Sequence, residues 1–134
     1  DPNGRAPHDA QILTDGIAEV VFVTKPGAPT PPNTRQVEIA PGEDGRFTPK
    51  EIINALREIG LSRVLVEGGA DTLARFLDAQ AIDLLHVLVA PIILGSGKAG
   101  FSLQPIDQLD EAIRPQTTVH LFNDGDVLFT CDLR

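Results

Sequence analysis

The sequence predicts an α/β fold, and three observations carry that prediction. Short β-branched apolar runs alternate with amphipathic helical stretches along the chain. One of those stretches opens on a complete capping box at Thr48. Two further β-rich runs flank Asn123-Asp124-Gly125-Asp126, turn chemistry that joins antiparallel strands. The order is strand, strand, helix, strand, helix, strand and C-terminal hairpin. It predicts a mostly parallel central sheet flanked by helices, with an antiparallel edge.

Each element has its own warrant. Asp1-Pro2-Asn3-Gly4 is turn chemistry, because Pro fixes φ and Asn-Gly tolerates φ > 0. A chain that opens inside a turn reads as a piece or processed product of something longer. Ala18 to Thr24 is a short β-branched run, read as a buried strand. The proline-dense stretch Lys25 to Pro32 ends it, since proline cannot continue a ladder. Arg35 to Ile39 alternates and predicts a second strand, and Pro41 to Arg46 a turn. Thr48 as N-cap, Pro49 at the first helical position and Glu51 three after the cap begin a helix. Ile52, Ile53, Leu56 and Ile59 form its apolar stripe, and Gly60 stops it.

Arg63 to Val66 is uniformly apolar after its first residue and predicts a central strand of the sheet. Glu67-Gly68-Gly69 leads into a helix with Leu73, Phe76 and Leu77 on one face. Ile82 to Leu94 predicts a strand interrupted at Pro91, and Gly95 to Gly100 a glycine-rich loop. Thr117 to Phe122 and Val127 to Leu133 complete the hairpin.

Composition narrows the function classes. With 134 residues the chain fits a single domain, spanning residues 1–134, with a core that needs no staple. The 11 Lys+Arg against 19 Asp+Glu give a net charge of −8, which disfavours nucleic acid or an anionic membrane as partner. Six Phe with no Trp or Tyr leave little for base stacking. The lone Cys131 excludes an intrachain disulfide and a cysteine-based zinc site. No apolar run approaches the ~18 residues of a membrane span. A soluble, acidic, cytoplasmic domain is expected.

Gly95-Ser96-Gly97-Lys98-Ala99-Gly100 matches G-x-G-x-x-G in letters only. A dinucleotide fingerprint needs those glycines to open a helix, and Phe101-Ser102-Leu103-Gln104-Pro105 does not begin one. Glu67-Gly68-Gly69 has the context that the later loop lacks. Exposed amides at that helix start, with the helix dipole, can hold a phosphate without a basic side chain. Thr72 adds a hydroxyl, while Asp71 favours the dipole and opposes an anion. The two glycines equally fit a tight turn and nothing more. Glu67 sits where a strand ends and can accept hydrogen bonds from a ligand, or be a solvated loop carboxylate. His86 reads as a packed or interface histidine, His8 and His120 lack metal-ligand spacing, and Cys131 reads as a small core residue.

The string Val64-Leu65-Val66-Glu67-Gly68-Gly69-Ala70-Asp71-Thr72-Leu73, then Phe76-Leu77, Ile82-Asp83 and Ala90-Pro91-Ile92-Ile93-Leu94-Gly95, resembles one family. It is similar to the reductase domain of the bacterial riboflavin-biosynthesis deaminase/reductase, with its dihydrofolate-reductase-like fold. Asp1-Pro2-Asn3-Gly4-Arg5-Ala6-Pro7 and Asp9-Ala10-Gln11-Ile12-Leu13 extend the resemblance over nearly the whole chain. It implies NADPH-dependent reduction of a 5-amino-6-(5-phosphoribosylamino)uracil to the ribitylamino product; the alternatives are a catalytically silent fragment or dimerisation module of that enzyme, and a related dihydrofolate-reductase-like reductase of another pyrimidine or pterin. The sugar reacts as its open-chain imine, with hydride passing to the carbon that bears nitrogen. It implies that Glu67 contacts the pyrimidine. Gly68, Gly69, Ala70, Asp71, Thr72, Leu73, Ala74 and Arg75 fall on the helix start that embraces the cofactor pyrophosphate. Thr24 falls near the adenosine half. Where relatives often carry Ser after the opening Asp, this chain has Pro2, which leaves Asn3 or Arg5 to meet the 2′-phosphate. The resemblance also implies a homodimer, and further N-terminal strands and a zinc deaminase domain outside the sequence at hand.

Overall fold

Capping and turn chemistry settle most element boundaries in the computed structural model, which describes residues 1–134. The chain divides into two compact units, Asp1–Leu65 and Val66–Arg134.

The first unit holds α1 (Gln11–Thr14), β1 (Val21–Thr24), β2 (Arg35–Glu38) and α2 (Pro49–Glu58). Strand β1 alternates in burial, turning Phe22 and Thr24 inward. It pairs in parallel with β2, Val21 opposite Arg35 and Thr24 opposite Glu38. The proline loop makes the crossover. It is tied by the Gln36 carboxamide, whose Nε2 donates to Thr24 Oγ1 at 2.8 Å and to the Ala28 carbonyl at 2.9 Å. The opening turn forms as expected, and the Asp1 carboxylate accepts from the Arg5 and Ala6 amides at 2.6 and 2.8 Å. Gly4 is required there: its φ is +62°, and a Cβ would stand 1.9 Å from the Pro29 carbonyl oxygen. Helix α2 has the predicted box, with Thr48 Oγ1 accepting from the Glu51 amide and the Glu51 carboxylate accepting from the Thr48 amide. Its apolar stripe is half-buried, and Gly60 ends it at φ +94°.

The second unit holds α3 (Ala70–Asp78), β3 (Leu84–Val89), a 3-10 turn at Leu109–Glu111, β4 (Gln116–Leu121) and β5 (Val127–Asp132). Its sheet runs β3-β5-β4, antiparallel throughout, so β5 is the central strand. The Asn123–Asp126 turn closes β4 onto β5, with Gly125 at φ +93°. Ala74, Phe76 and Leu77 of α3 and Cys131 of β5 are buried, so Cys131 is the small core residue its setting predicts. The run Val127-Leu128-Phe129 is half-buried in β5.

One strand expectation fails. Arg63 to Val66 forms no ladder in either sheet, and Val64 and Leu65 are 43% and 76% exposed. Strand propensity expresses packing against neighbours, and no strand hydrogen-bonds to this segment. The run from Ile82 to Leu94 likewise yields a ladder only over β3, because beyond Val89 no β5 residue remains to pair. Ile92, Ile93 and Leu94 are exposed. The α/β class stands, with a parallel pair and an antiparallel sheet, but the ordered β structure is weighted to the C-terminal sheet.

Candidate functional site

Glycine chemistry shapes the start of α3. Gly69 is the N-cap, extended at φ −75° and ψ 176°, and no side chain caps the first turn. The first backbone bond there runs from the Leu73 amide to the Gly69 carbonyl at 3.2 Å. The amides ahead of it in a helix have no partner within the helix and carry the positive end of its dipole. Gly68 and Gly69 are exposed, and a Cβ on Gly69 would meet nothing within 4 Å. Gly68 is glycine for a packing reason, because a Cβ there would lie 2.9 Å from Thr72 Cβ. Thr72 therefore folds back over the bend and brings its hydroxyl to the first turn. This donor set, backbone N–H with one hydroxyl, suits a phosphate-type anion, and open space lies outside Gly69.

The other candidates divide by burial. Glu67 is exposed and follows the unpaired extended segment, not the end of a laddered strand as its sequence setting predicts. Asp71 is exposed and Arg75 half-buried on α3, while Leu73 is half-buried and Ala74 buried, so these two hold the helix in place. In the first unit, the Asp1 ammonium donates to the Val23 carbonyl at 3.3 Å, and the Lys25 amide to the Pro2 carbonyl at 3.0 Å. The opening turn thus lies beside the end of β1 and gathers Arg5 and Thr24 in one neighbourhood. Arg5 is exposed, whereas Thr24 is fully buried with its hydroxyl taken by Gln36. What Thr24 offers a ligand is confined to the position of its backbone.

Of the two readings of His86, packed or at an interface, packing in the core is the one that fails. His86 is exposed, with Nδ1 3.1 Å from Thr130 Oγ1, because alternation on β3 turns it to the open face of the sheet. His120 packs edge-on against Phe122, ring centroids 4.6 Å apart. The Gly95–Gly100 loop is exposed and no helix follows it, so its fingerprint lettering has no structural counterpart. A hollow of about 380 Å³ in the second unit is lined by Leu77, Gln80, Ile82, Asp83, Ile113 and Arg134, among others. None of the sequence-predicted cofactor- or substrate-binding residues lines it, and the Arg134 guanidinium is already held by Asp132 at 2.7 Å. The uncapped helix start is the better candidate, since it presents backbone N–H groups beside open space at Gly69, whereas the hollow's cation is already engaged by Asp132.

The family model of the RibD C-terminal domain matches residues 1–125. The chain belongs to that family. It is 33% identical over 93 residues to the riboflavin biosynthesis protein RibD of Bacillus amyloliquefaciens, an alignment covering 66% of this chain and 25% of the relative. Among solved structures it is similar to Acinetobacter baumannii RibD, with a TM-score of 0.75 at 22% identity, over 100% of this chain and 36% of that one. It is also similar to the Thermotoga maritima diaminohydroxyphosphoribosylaminopyrimidine deaminase/5-amino-6-(5-phosphoribosylamino)uracil reductase. There the TM-score is 0.72 at 23% identity, over 100% of this chain and 36% of that one. The chain thus spans about a quarter to a third of the length of these proteins. The dihydrofolate-reductase-like α/β fold of the RibD reductase domain is the fold of this chain.

Proposed function

We propose that this chain serves the NADPH-dependent reduction of 5-amino-6-(5-phosphoribosylamino)uracil to its ribitylamino product in riboflavin biosynthesis. The observation that carries the reading is the uncapped, glycine-built start of α3 within a RibD C-terminal domain match. Gly68, Gly69 and the first turn from Ala70 to Thr72 hold the cofactor's pyrophosphate through backbone N–H groups, with the Thr72 hydroxyl beside them. Leu73, Ala74 and Arg75 carry that turn on a packed helix. Arg5, with Asn3 beside it, meets the 2′-phosphate, and Thr24 fixes the end of β1 near the adenosine half. NADPH, when bound, supplies hydride. Glu67 accepts hydrogen bonds from the pyrimidine and orients it, the alignment task that falls to the protein in such chemistry.

The match across residues 1–125 supports assigning both units to one reductase domain. The exposed outer strand β4 supports a homodimer, since an unpaired edge seeks a partner. A net charge of −8 and the absence of any helix long and apolar enough to cross a membrane suit a cytoplasmic enzyme with a small-molecule substrate and neither nucleic acid nor membrane as partner. The unpaired Arg63–Val66 segment favours a second reading, a catalytically silent fragment or dimerisation module. NADPH titration and turnover on the 134-residue chain separate the two. Saturable binding with turnover supports the reductase, and a folded chain without turnover supports the second reading. Within the active enzyme, Glu67→Gln lowers kcat/KM by about tenfold or more, because the carboxamide offers one neutral acceptor oxygen where the carboxylate offers two charged ones. Unchanged kinetics remove Glu67 from the site.

A further inference from the structure

Four glycines in the chain directly follow a residue with a side-chain carbonyl carbon one methylene from the backbone. These are Asn3-Gly4, Asp15-Gly16, Asp44-Gly45 and Asp124-Gly125. With no Cβ on the glycine, its amide nitrogen is the least shielded in any such pair. All four glycines are left-handed, at φ +62°, +65°, +71° and +93°. Three of the four side chains are tied down in Asx turns. Asp15 Oδ1 accepts from the Ile17 amide at 3.1 Å, Asp44 Oδ1 from the Arg46 amide at 3.0 Å, and Asp124 Oδ1 from the Asp126 amide at 3.2 Å. Asn3 is the exception, exposed and with no hydrogen bond to its carboxamide.

We propose that Asn3 is a self-modification site, where the Gly4 amide nitrogen attacks Asn3 Cγ and the chain converts its own carboxamide to a carboxylate. The Gly4 nitrogen loses its proton and bonds to Cγ, and the carboxamide nitrogen leaves as ammonia with that proton. The product is a five-membered cyclic imide. Water adds to one of its two carbonyls and opens the ring to aspartate or isoaspartate at position 3. No redox partner is involved, and the sum is amide plus water to acid plus ammonia. A neutral carboxamide is open to this attack near neutral pH, whereas a carboxylate carbon is a poor electrophile. The Gly4 N–H is held only by a long bond of 3.3 Å to the Asp1 carbonyl. Pro29 keeps the reactive pair in place, because its carbonyl admits no Cβ at position 4. The new negative charge arises two residues from Arg5.

The test is incubation of the folded chain in mildly alkaline buffer, with peptide mass mapping, ammonia release and enzymatic isoaspartate labelling. Asn3 is expected to convert several-fold faster than Asn33, Asn54 and Asn123, with isoaspartate appearing first at position 3. Asn3→Gln is expected to remove the early ammonia and isoaspartate while leaving the circular dichroism spectrum unchanged. Conversion of Asn3 no faster than the other three asparagines overturns the proposal, as does isoaspartate arising first at an Asp-Gly pair.

Discussion

Helix α2 begins on Thr48, whose hydroxyl accepts from the Glu51 amide at 3.2 Å while the Glu51 carboxylate returns to the Thr48 amide at 2.9 Å. Helix α3 begins on Gly69, with no side-chain hydrogen bond capping its first turn. At their C-terminal ends the two helices match. Leu61 N–H reaches the Leu56 carbonyl at 3.0 Å, and Ala81 N–H the Phe76 carbonyl at 2.9 Å, each after a left-handed residue. The contrast lies in what satisfies the N-terminal donors. The start of α2 is closed by its own side chains, so it can serve stability only. That of α3 is open to an external acceptor, and stability has been left unclaimed there.

The contrast can be broken by making α3 resemble α2. Gly69→Asp introduces a side-chain cap at an extended, unobstructed position. Affinity for NADPH is expected to fall about tenfold or more, or about 1.4 kcal/mol, because the carboxylate occupies the donors and repels phosphate. Fold stability is expected to hold or rise by a few tenths of a kcal/mol. Isothermal titration and chemical denaturation on one sample read both, and unchanged affinity would take the pyrophosphate away from this helix.

The reverse experiment removes the cap from α2. Thr48→Ala is expected to cost about 1 kcal/mol in denaturant unfolding and to leave NADPH affinity unchanged. The shared C-terminal motif sharpens the comparison at smaller amplitude. Gln80 sits at φ +50°, where Gly60 stands at +94° in α2. Gln80→Gly is expected to raise stability by up to about 1 kcal/mol by relieving a left-handed side chain, read as a higher urea midpoint at unchanged m-value.

The smallest effects are pH dependences, the first of them at the closed end of α2. The Thr48 amide, and then its hydroxyl, hold the Glu51 carboxyl below its ordinary value of 4.5. The unfolded chain therefore binds the proton more readily, so the box contributes fully above that value and fades as pH falls below it. The difference in stability between wild type and Thr48→Ala should shrink on acidification. The Arg134 guanidinium likewise lowers Asp132 from 3.8 to about 2, so that contribution is lost as pH falls from about 4 towards 2.

Local signals were legible wherever a few neighbouring residues suffice. Thr48, Pro49, Glu51 and Gly60 bound α2 to within a residue, and Asp124-Gly125 marks the hairpin. The short helix α1 and the 3-10 turn at Leu109–Glu111 went unseen, being shorter than any periodicity can reveal. Of the candidate site, the bend at Gly68 and Gly69 was legible as glycine chemistry, but its reason, Thr72 folded against Gly68, was not. Thr24 looked like a ligand neighbour at a strand end, and nothing in its surroundings in sequence announces Gln36 on the adjacent strand.

Caps and turns were determined by sequence alone, because their energetics are settled within a few bonds along the chain. Tertiary structure decided which apolar runs became ladders. Val87 and Phe129 face each other across an antiparallel register, while Val64 and Leu65, no less apolar, stay unpaired. A strand is stabilised by hydrogen bonds and side chains that another strand supplies, and no run of residues carries its own partner.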